Sequence, residues 1–381
     1  MDSIRYERQK GIQGWDQTLL QKARVLVAGA GALGNELIKN LALLGIGKIL
    51  VVDFDRIEIS NLSRSVLFRD ADVGYPKAST AVNAARRLNP DIDLRAIDGN
   101  LFHDLGLGFY RHSDIVVGCL DNLAARSRVG LSSVLAGVPF LDGGMWALGG
   151  EVRWFMAGEG PCFDCTLNAD SRQRIFERLS CTGFSRDGNE SNDQPQATTA
   201  FTASIIGGLL AQETVRYLSG LNVDAGEAVV YNGLKIAMHR STLPRSLECL
   251  NHDPYREVNE LESGVNQTTA GQLLRRAETE LGSPPILELG RDFLLGFICD
   301  NCRTTEDVDS LLAQIAEARI TCPRCGKTRK PQILSRVDGR SSYLDRTLAQ
   351  LGVPPGEVLA ARSERGLRLY ELTGDLEQFW F

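Results

Sequence analysis

The stretch from Arg24 to Lys77 limits what this chain can fold into more than any other. Four apolar residues, Val25 to Ala28, make a run suited to one buried strand. Gly29, Gly31 and Gly34 follow as G-x-G-x-x-G, and Leu33, Leu37, Ile38, Leu41 and Leu44 then recur at the spacing of a helix with one apolar face. A second apolar run, Ile49 to Val52, ends at Asp53. Strand, glycine turn, helix and strand, with a carboxylate about 20 positions on, is the pattern of a nucleotide-binding unit. Glycines let the backbone approach a phosphate, the helix N-terminus favours its negative charge, and the carboxylate accepts ribose hydroxyls.

The residues after Asp53 bear on which nucleotide. A dinucleotide's pyrophosphate needs only the glycine turn, whereas this sequence continues DFDRIEISNLSRS and later offers Lys77. Arg64 and Lys77, this close to the ribose carboxylate, suit a triphosphate, whose charge exceeds what one helix dipole offsets. Most arginines and lysines are solvated surface residues, which is the plain alternative. Asn61 and Arg64 fall in a polar segment after a strand end, where open α/β sheets gather their active-site residues, and this favours the functional reading. Asp55 is counted with Asp53 in the nucleotide site. Asp121 closes another apolar strand, 114–119, ahead of Asn122. Such a pair also caps helices, but capping by one residue is compatible with magnesium at Asp121, the reading preferred beside a triphosphate.

With 381 residues, 43% hydrophobic and 24% charged, the chain has the composition of a globular protein long enough for two domains. A net charge of −6 argues against broad binding to nucleic acid or anionic membranes. No apolar run reaches the length of a membrane span, and the charged start MDSIRYERQK lacks a signal-peptide core, so the expected location is cytoplasmic. Six of the nine cysteines fall in C-x-x-C pairs, which in that compartment point to metal rather than disulfides. Cys299, Cys302, Cys322 and Cys325 have the spacing of a zinc ribbon, a closed structural site of four thiolates shaped by Pro323 and Gly326. Around it Arg319, Arg324, Lys327, Arg329 and Lys330 form a basic patch, read as docking or solubilising rather than nucleic-acid binding. Cys119, in an apolar strand, reads as core.

Along the chain, helices are expected at 77–88, 123–136, 168–180, 198–218, 269–282 and 342–351. Strands are expected near 94–97, 114–119, 139–141, 150–156, 227–231, 234–240 and 286–298, with a hairpin at 357–372; residues 181–197 read as a polar, mobile loop. The alternation implies an α/β protein: a Rossmann-like, mostly parallel sheet with helices on both faces, plus a small C-terminal α+β zinc-ribbon domain. The expected division is 1–245 for the ATP-binding domain and 246–381 for the domain carrying the ribbon at 299–325.

The motifs GAGALGNELIKNLALLGIG, DFDRIEISNLSR, GYPKA and CLDN together resemble the ubiquitin-activating enzyme superfamily over roughly residues 5 to 240. That group includes activators of ubiquitin-like proteins and the adenylyltransferases that activate sulfur carriers for thiamine and molybdopterin synthesis. The resemblance implies ATP-dependent adenylation of the C-terminal carboxylate of a β-grasp protein. It implies that Gly29, Gly31 and Gly34 line the nucleotide, that Asp53 binds ribose, that Asn61, Arg64 and Lys77 hold phosphates, and that Asp121 holds Mg2+. It further implies a homodimer or pseudo-symmetric dimer, in which Arg8 of RYERQ reaches the partner's site. Family members often read SNLNRQ or SNLQRQ where this chain has SNLSRS, so Ser63 and Ser65 replace amides and one phosphate hydrogen bond is in doubt. Many relatives pair a C-x-x-C matching Cys162/Cys165 with a second one downstream; here the downstream candidates are Cys249 and His252, a Cys3His zinc set. Cys181 falls near the place where relatives carry a thioester-forming cysteine.

On this reading the first expectation is an activating enzyme for a ubiquitin-like protein, forming a thioester at Cys181 for transfer to a conjugating enzyme. The alternatives are a sulfur-carrier adenylyltransferase and a non-catalytic scaffold subunit, against which intact Arg64, Lys77 and Asp121 argue. A nicotinamide dehydrogenase ranks last because it uses none of those three residues.

Overall fold

The structure, a computed structural model, describes residues 4–180 and 197–380. In chain order its first elements are α1 (Glu7–Lys10), α2 (Gln17–Lys22), β1 (Arg24–Ala28), α3 (Ala32–Leu44), β2 (Lys48–Val52), α4 (Lys77–Leu88), β3 (Asp93–Ile97) and α5 (Leu107–Arg111). Then come β4 (Ile115–Gly118), α6 (Leu123–Ala136), β5 (Phe140–Trp146), β6 (Gly149–Phe155), α7 (Ala169–Ser180), α8 (Ala200–Leu218), β7 (Glu227–Asn232) and β8 (Ala237–Thr242). The later elements are β9 (Val258–Leu261), α9 (Ala270–Leu281), β10 (Ile286–Ile298), β11 (Thr305–Leu311), β12 (Lys330–Val337), β13 (Val358–Ser363), β14 (Gly366–Leu372) and α10 (Glu377–Trp380). Two compact units result. One holds residues 4–172, 197–255 and 379–380; the other holds 173–180 and 256–378.

The first unit is built on an eight-stranded sheet in the order β3-β2-β1-β4-β5-β6-β7-β8. The five strands from β3 to β5 are parallel, and β6, β7 and β8 extend them antiparallel. Strands covered on both faces read as unbroken apolar runs, and RVLVA, KILVV and IVVG do so. Val25, Val27, Ile49, Val51, Ile115 and Val117 pack with Leu37, Ile38 and Leu41 of α3 and with Ile206 and Leu210 of α8. The alternate residues Leu26, Leu50 and Val116 are equally buried. Each such leucine or isoleucine contributes about 1.5–3 kcal/mol by leaving water. The mostly parallel sheet flanked by helices is therefore as expected.

Strand order reverses between β1 and β4, which opens a crevice at their carboxyl ends. The N-terminal segment is pinned at the opposite end of the strands, where α3 ends and β2 is about to begin, by Tyr6, buried against the left-handed Gly45 that ends α3, where a Cβ would lie 2.5 Å from the ring. The Tyr6 hydroxyl accepts from Asn89 Nδ2 at 2.7 Å. The chain's end returns to the same unit: Trp380 is buried and donates through Nε1 to the Phe109 carbonyl at 3.1 Å.

In the second unit the sheet order is β11-β10-β13-β14-β9, with β12 also paired to β10. Only β14 and β9 run parallel; the other pairs are antiparallel. Leu273, Leu274, Ala277 and Leu281 of α9 pack on Leu287, Leu289, Leu359, Tyr370 and Leu372. Residues 286–298 form one long strand with irregular register, and the polar strands β9 and β11 carry too few apolar residues to be legible as strands. The helix expected over 342–351 is not formed; only a 3-10 turn, Ala349–Leu351, appears. The reason is competition for backbone groups. The carbonyls of Leu344 and Arg346 accept from the Gly271 and Ala270 N–H groups at the start of α9, so they are not spent within a helix of their own.

Gly34 allows the glycine turn to fold against α3, since a Cβ there would lie 2.1 Å from the Gly29 carbonyl oxygen. Gly34→Ala should cost at least about 1–3 kcal/mol of stability by overpacking against backbone. The urea midpoint of the purified variant measures this, and an unchanged midpoint contradicts the close approach.

Candidate nucleotide site and metal centres

The glycine turn lies where β1, β2 and β4 end together. Gly29 N–H donates to the Val52 carbonyl at 2.9 Å, and Cys119 N–H donates to the Ala28 carbonyl at 2.8 Å. Gly29 has φ of +98°, and a Cβ on it would lie 2.6 Å from the Cys119 carbonyl oxygen, so glycine is required there. Gly31 differs: a Cβ on it would meet nothing within 4 Å. It faces open space at the N-cap of α3, the position from which a phosphate would approach the helix end.

Asp53 is fastened to this turn. Its Oδ2 accepts from Ala30 N–H at 2.7 Å and its Oδ1 from Asp55 N–H at 2.8 Å. Burial raises the carboxyl above its ordinary range, and the two N–H donors and the Lys77 charge offset only part of that rise. Asp55 in turn holds Lys77, with Nζ 2.7 Å from Oδ2. An ammonium has three donors, so two remain for another ligand. Turn, Asp53, Asp55 and Lys77 are thus one bonded series.

The polar segment after β2 forms a tight turn. Asn61 Oδ1 accepts from Glu58 N–H at 3.0 Å, and Arg64 Nη1 donates to the Ser60 carbonyl at 2.7 Å. Ser63 is exposed whereas Ser65 is buried, so of the two residues replacing family amides only Ser63 offers its side chain outward. At the end of β4, Asn122 caps α6 by accepting from Ala125 N–H at 2.8 Å. That leaves Asp121 exposed, its contact among the described residues a long 3.4 Å one from Asn122 Nδ2, and its carboxylate fits a magnesium ligand. Arg8 is exposed on α1, two residues beyond buried Tyr6.

A charged group that sequence reading missed lies behind this crevice. Asp142, on β5 opposite Gly118, is fully buried. Arg126 reaches it with Nε at 2.9 Å and Nη2 at 2.6 Å, and Arg153 with Nε at 3.0 Å and Nη2 at 2.6 Å. Burial alone would raise the Asp142 carboxyl, but the two guanidinium charges outweigh it and hold it below its ordinary range. Both guanidiniums also lie over the Phe163 ring, at 5.5 and 5.1 Å. The signal in the sequence was an aspartate in the otherwise apolar run PFLDGG, with its two partners far away along the chain.

Phe163 belongs to the first cysteine cluster. Cys162, Cys165, Cys249 and His252 bring their ligand atoms within 4.8 Å of one another. Tetrahedral zinc with thiolates at about 2.3 Å sets sulfurs about 3.8 Å apart. Here Cys162 Sγ is 3.8 Å from Cys165 Sγ and 3.5 Å from Cys249 Sγ, and Cys165 Sγ is 3.1 Å from His252 Nε2. Asp164 ties the cluster to α6, accepting from Ser127 Oγ at 2.7 Å and from Asn251 Nδ2 at 2.8 Å. In the second unit, Cys299 and Cys325 are 3.5 Å apart and Cys302 and Cys322 are 3.6 Å apart, which fits a closed thiolate site. The basic patch beside it is largely paired: Arg319 and Arg329 both bond Glu306, and Lys330 bonds Asp300 at 2.5 Å. Cys119 is buried, as expected, and its thiol is pushed up by burial and by Asp142. Cys181 lies outside the described residues.

Fold and crevice define a doubly wound α/β protein, a class whose ligands bind where the strand order reverses. The profile described as the ThiF family matches residues 6–251. The chain is 30% identical over 255 residues to the molybdopterin-synthase adenylyltransferase of Escherichia coli (strain K12), covering 65% of this chain and 95% of that protein. It is 32% identical to the sulfur carrier protein adenylyltransferase of Thermus thermophilus, covering 64% of this chain and 89% of that one. The SUMO-activating enzyme subunit uba-2 of Caenorhabditis elegans is 39% identical over 145 residues, 38% of this chain and 25% of that subunit. In fold it is similar to the crystal structure of E. coli MccB, with a TM-score of 0.53 and 22% identity over 66% of this chain and 72% of that one. The chain belongs to the ThiF family, within the ubiquitin-activating superfamily that its motifs resemble, and is an adenylyltransferase of that type. Among the described residues no helix is long and apolar enough to cross a membrane.

Two measurements probe these sites. Gly31→Ala should leave stability within about 0.5 kcal/mol, as for a substitution that meets no neighbour, while weakening ATP binding at least tenfold by calorimetry. Undiminished binding would place the phosphates elsewhere. Metal analysis should find two zinc ions per chain, with Cys299→Ser and Cys249→Ser each losing one; a single zinc, lost with Cys299→Ser, excludes the Cys3His site.

Proposed function

We propose that the chain uses ATP and Mg2+ to adenylate the C-terminal carboxylate of a β-grasp carrier protein, and that the carrier is of the sulfur-carrier class. The observation that carries the adenylation reading is the bonded series from the glycine turn through Asp53 and Asp55 to Lys77, which gathers ribose acceptor and phosphate cation at one strand-end crevice. What favours a sulfur carrier is the extent of the match. The two sulfur-pathway relatives align over nearly their whole length, whereas the SUMO-activating subunit aligns over a quarter of its own.

In this reading Asp53 binds ribose, Asn61, Arg64 and Lys77 hold the phosphates, and the turn at Gly31, which faces open space, supplies backbone N–H groups. Asp121 would hold magnesium, which when bound offsets charge on the triphosphate. The carrier's carboxylate is ionised at neutral pH and attacks the α-phosphorus without a general base, and pyrophosphate departs. The protein's part is positioning and charge neutralisation. Arg8 would act across a dimer, the zinc sites are structural, and residues 1–245 form the adenylating domain, with 246–381 as an appended zinc-bearing domain.

The second reading is a ubiquitin-like modifier, passed from adenylate to a Cys181 thioester and on to a conjugating enzyme. The 39% identity to the SUMO-activating subunit speaks for it, but spans only 38% of this chain. ATP–pyrophosphate exchange in the presence of purified carrier tests the adenylation step. Asp121→Ala should lower exchange about 10²–10³-fold, the scale of losing one electrostatic element of an active site. Absence of exchange with every β-grasp protein tried, sulfur carriers included, overturns the proposal. A carrier thioester seen with wild type and lost in Cys181→Ser would favour the second reading.

A further inference from the structure

Asn35 stands in the first turn of α3 with its side chain wholly buried. Asparagine is a poor choice inside a helix, and a buried amide costs free energy unless its hydrogen bonds are made. Here both amide N–H donors and the amide oxygen have partners. Nδ2 donates to the Ala30 carbonyl at 2.7 Å and to the Gly31 carbonyl at 3.1 Å, while Oδ1 accepts from Leu67 N–H at 2.9 Å. One side chain thus joins the glycine turn to the strand of polypeptide three residues beyond Arg64.

The two donated bonds also aim the turn. In a trans peptide the carbonyl and the following N–H point in opposite directions. Drawing the carbonyls of Ala30 and Gly31 inward to Asn35 therefore turns the N–H groups of Gly31 and Ala32 away from it, on the side where Gly31 faces open space. The accepted bond fixes Leu67, itself buried beside Phe68, and so limits where the Asn61–Arg64 turn can lie.

We propose that Asn35 is a positioning residue for the triphosphate: it orients the phosphate-facing N–H groups and sets their separation from Arg64. The inference rests on the nucleotide reading above. Its role is confined to the phosphate end, because Asp53 is held by other bonds.

The test compares ATP with adenosine, by calorimetry, on wild type, Asn35→Ala and Asn35→Ser. In Asn35→Ala, affinity for ATP should fall about 10–100-fold, as expected when one or two buried hydrogen bonds are lost, while affinity for adenosine stays within about twofold. Asn35→Ser should fall between, since a helix serine can still donate to the carbonyl four residues back; it carries the comparison if the alanine variant does not fold. Equal losses for both ligands, as a general loosening produces, overturn the proposal. Hydrogen exchange provides a readout free of nucleotide: the Leu67 amide should exchange faster in both variants, and an unchanged rate overturns the proposal. Wild type that binds no ATP would defeat the nucleotide reading and this inference with it, while the Leu67 rate would still report whether Asn35 holds that segment.

Discussion

A carboxylate taken out of water at the end of a parallel strand is the interaction on which the rest of this site depends. Asp53 is mostly buried, and the burial is tolerable only because Ala30 and Asp55 donate their N–H groups to it. Those donors have consequences beyond Asp53. The first belongs to the glycine turn, so the turn and Asp53 cannot move apart. The second belongs to Asp55, which grips Lys77 across 22 residues of sequence. A polar group that must be satisfied has therefore organised the cations and the backbone around it.

The second source of order lies deeper. Asp142 sits wholly buried between Arg126 and Arg153, and those guanidiniums cover the Phe163 ring inside the Cys162–Cys165 knuckle. Ser127 holds Asp164 of the same knuckle, one residue along α6 from Arg126. The helix that follows Asp121 is consequently clamped to the cysteine cluster. A buried charge set of this kind contributes little net stability, but removal of any member leaves an unpaired charge in a poor dielectric, so its value is in allowing a single arrangement. It ties the cluster of Cys162, Cys165, Cys249 and His252 to the loop that carries the proposed magnesium ligand.

Much of this was legible from local pattern. Unbroken apolar runs marked the covered strands, and three-and-four spacing marked the helices α3 and α4. The glycine spacing and Asp53 marked the crevice, and C-x-x-C pairs marked both cysteine clusters. Where local pattern failed, a distant partner had taken over. Residues 342–351 have helical composition, yet their carbonyls satisfy the start of α9 instead. Strand β9 is recognisable only through its parallel pairing with β14, more than a hundred residues on. Asn35 read as one polar position in a helix, because nothing nearby shows that Leu67 donates to it.

The sequence by itself determined the locally patterned elements and the chemistry available to them, since side-chain periodicity, glycine's freedom and the charges of Asp53, Arg64, Lys77 and Asp121 are local properties. Only the tertiary structure decided which of these groups act together. Asn122 rather than Asp121 caps α6, His252 joins three cysteines, and Asn35 spans from the glycine turn to Leu67. Each of those outcomes follows from which buried polar group finds which partner, and that is settled by how the strands and helices pack.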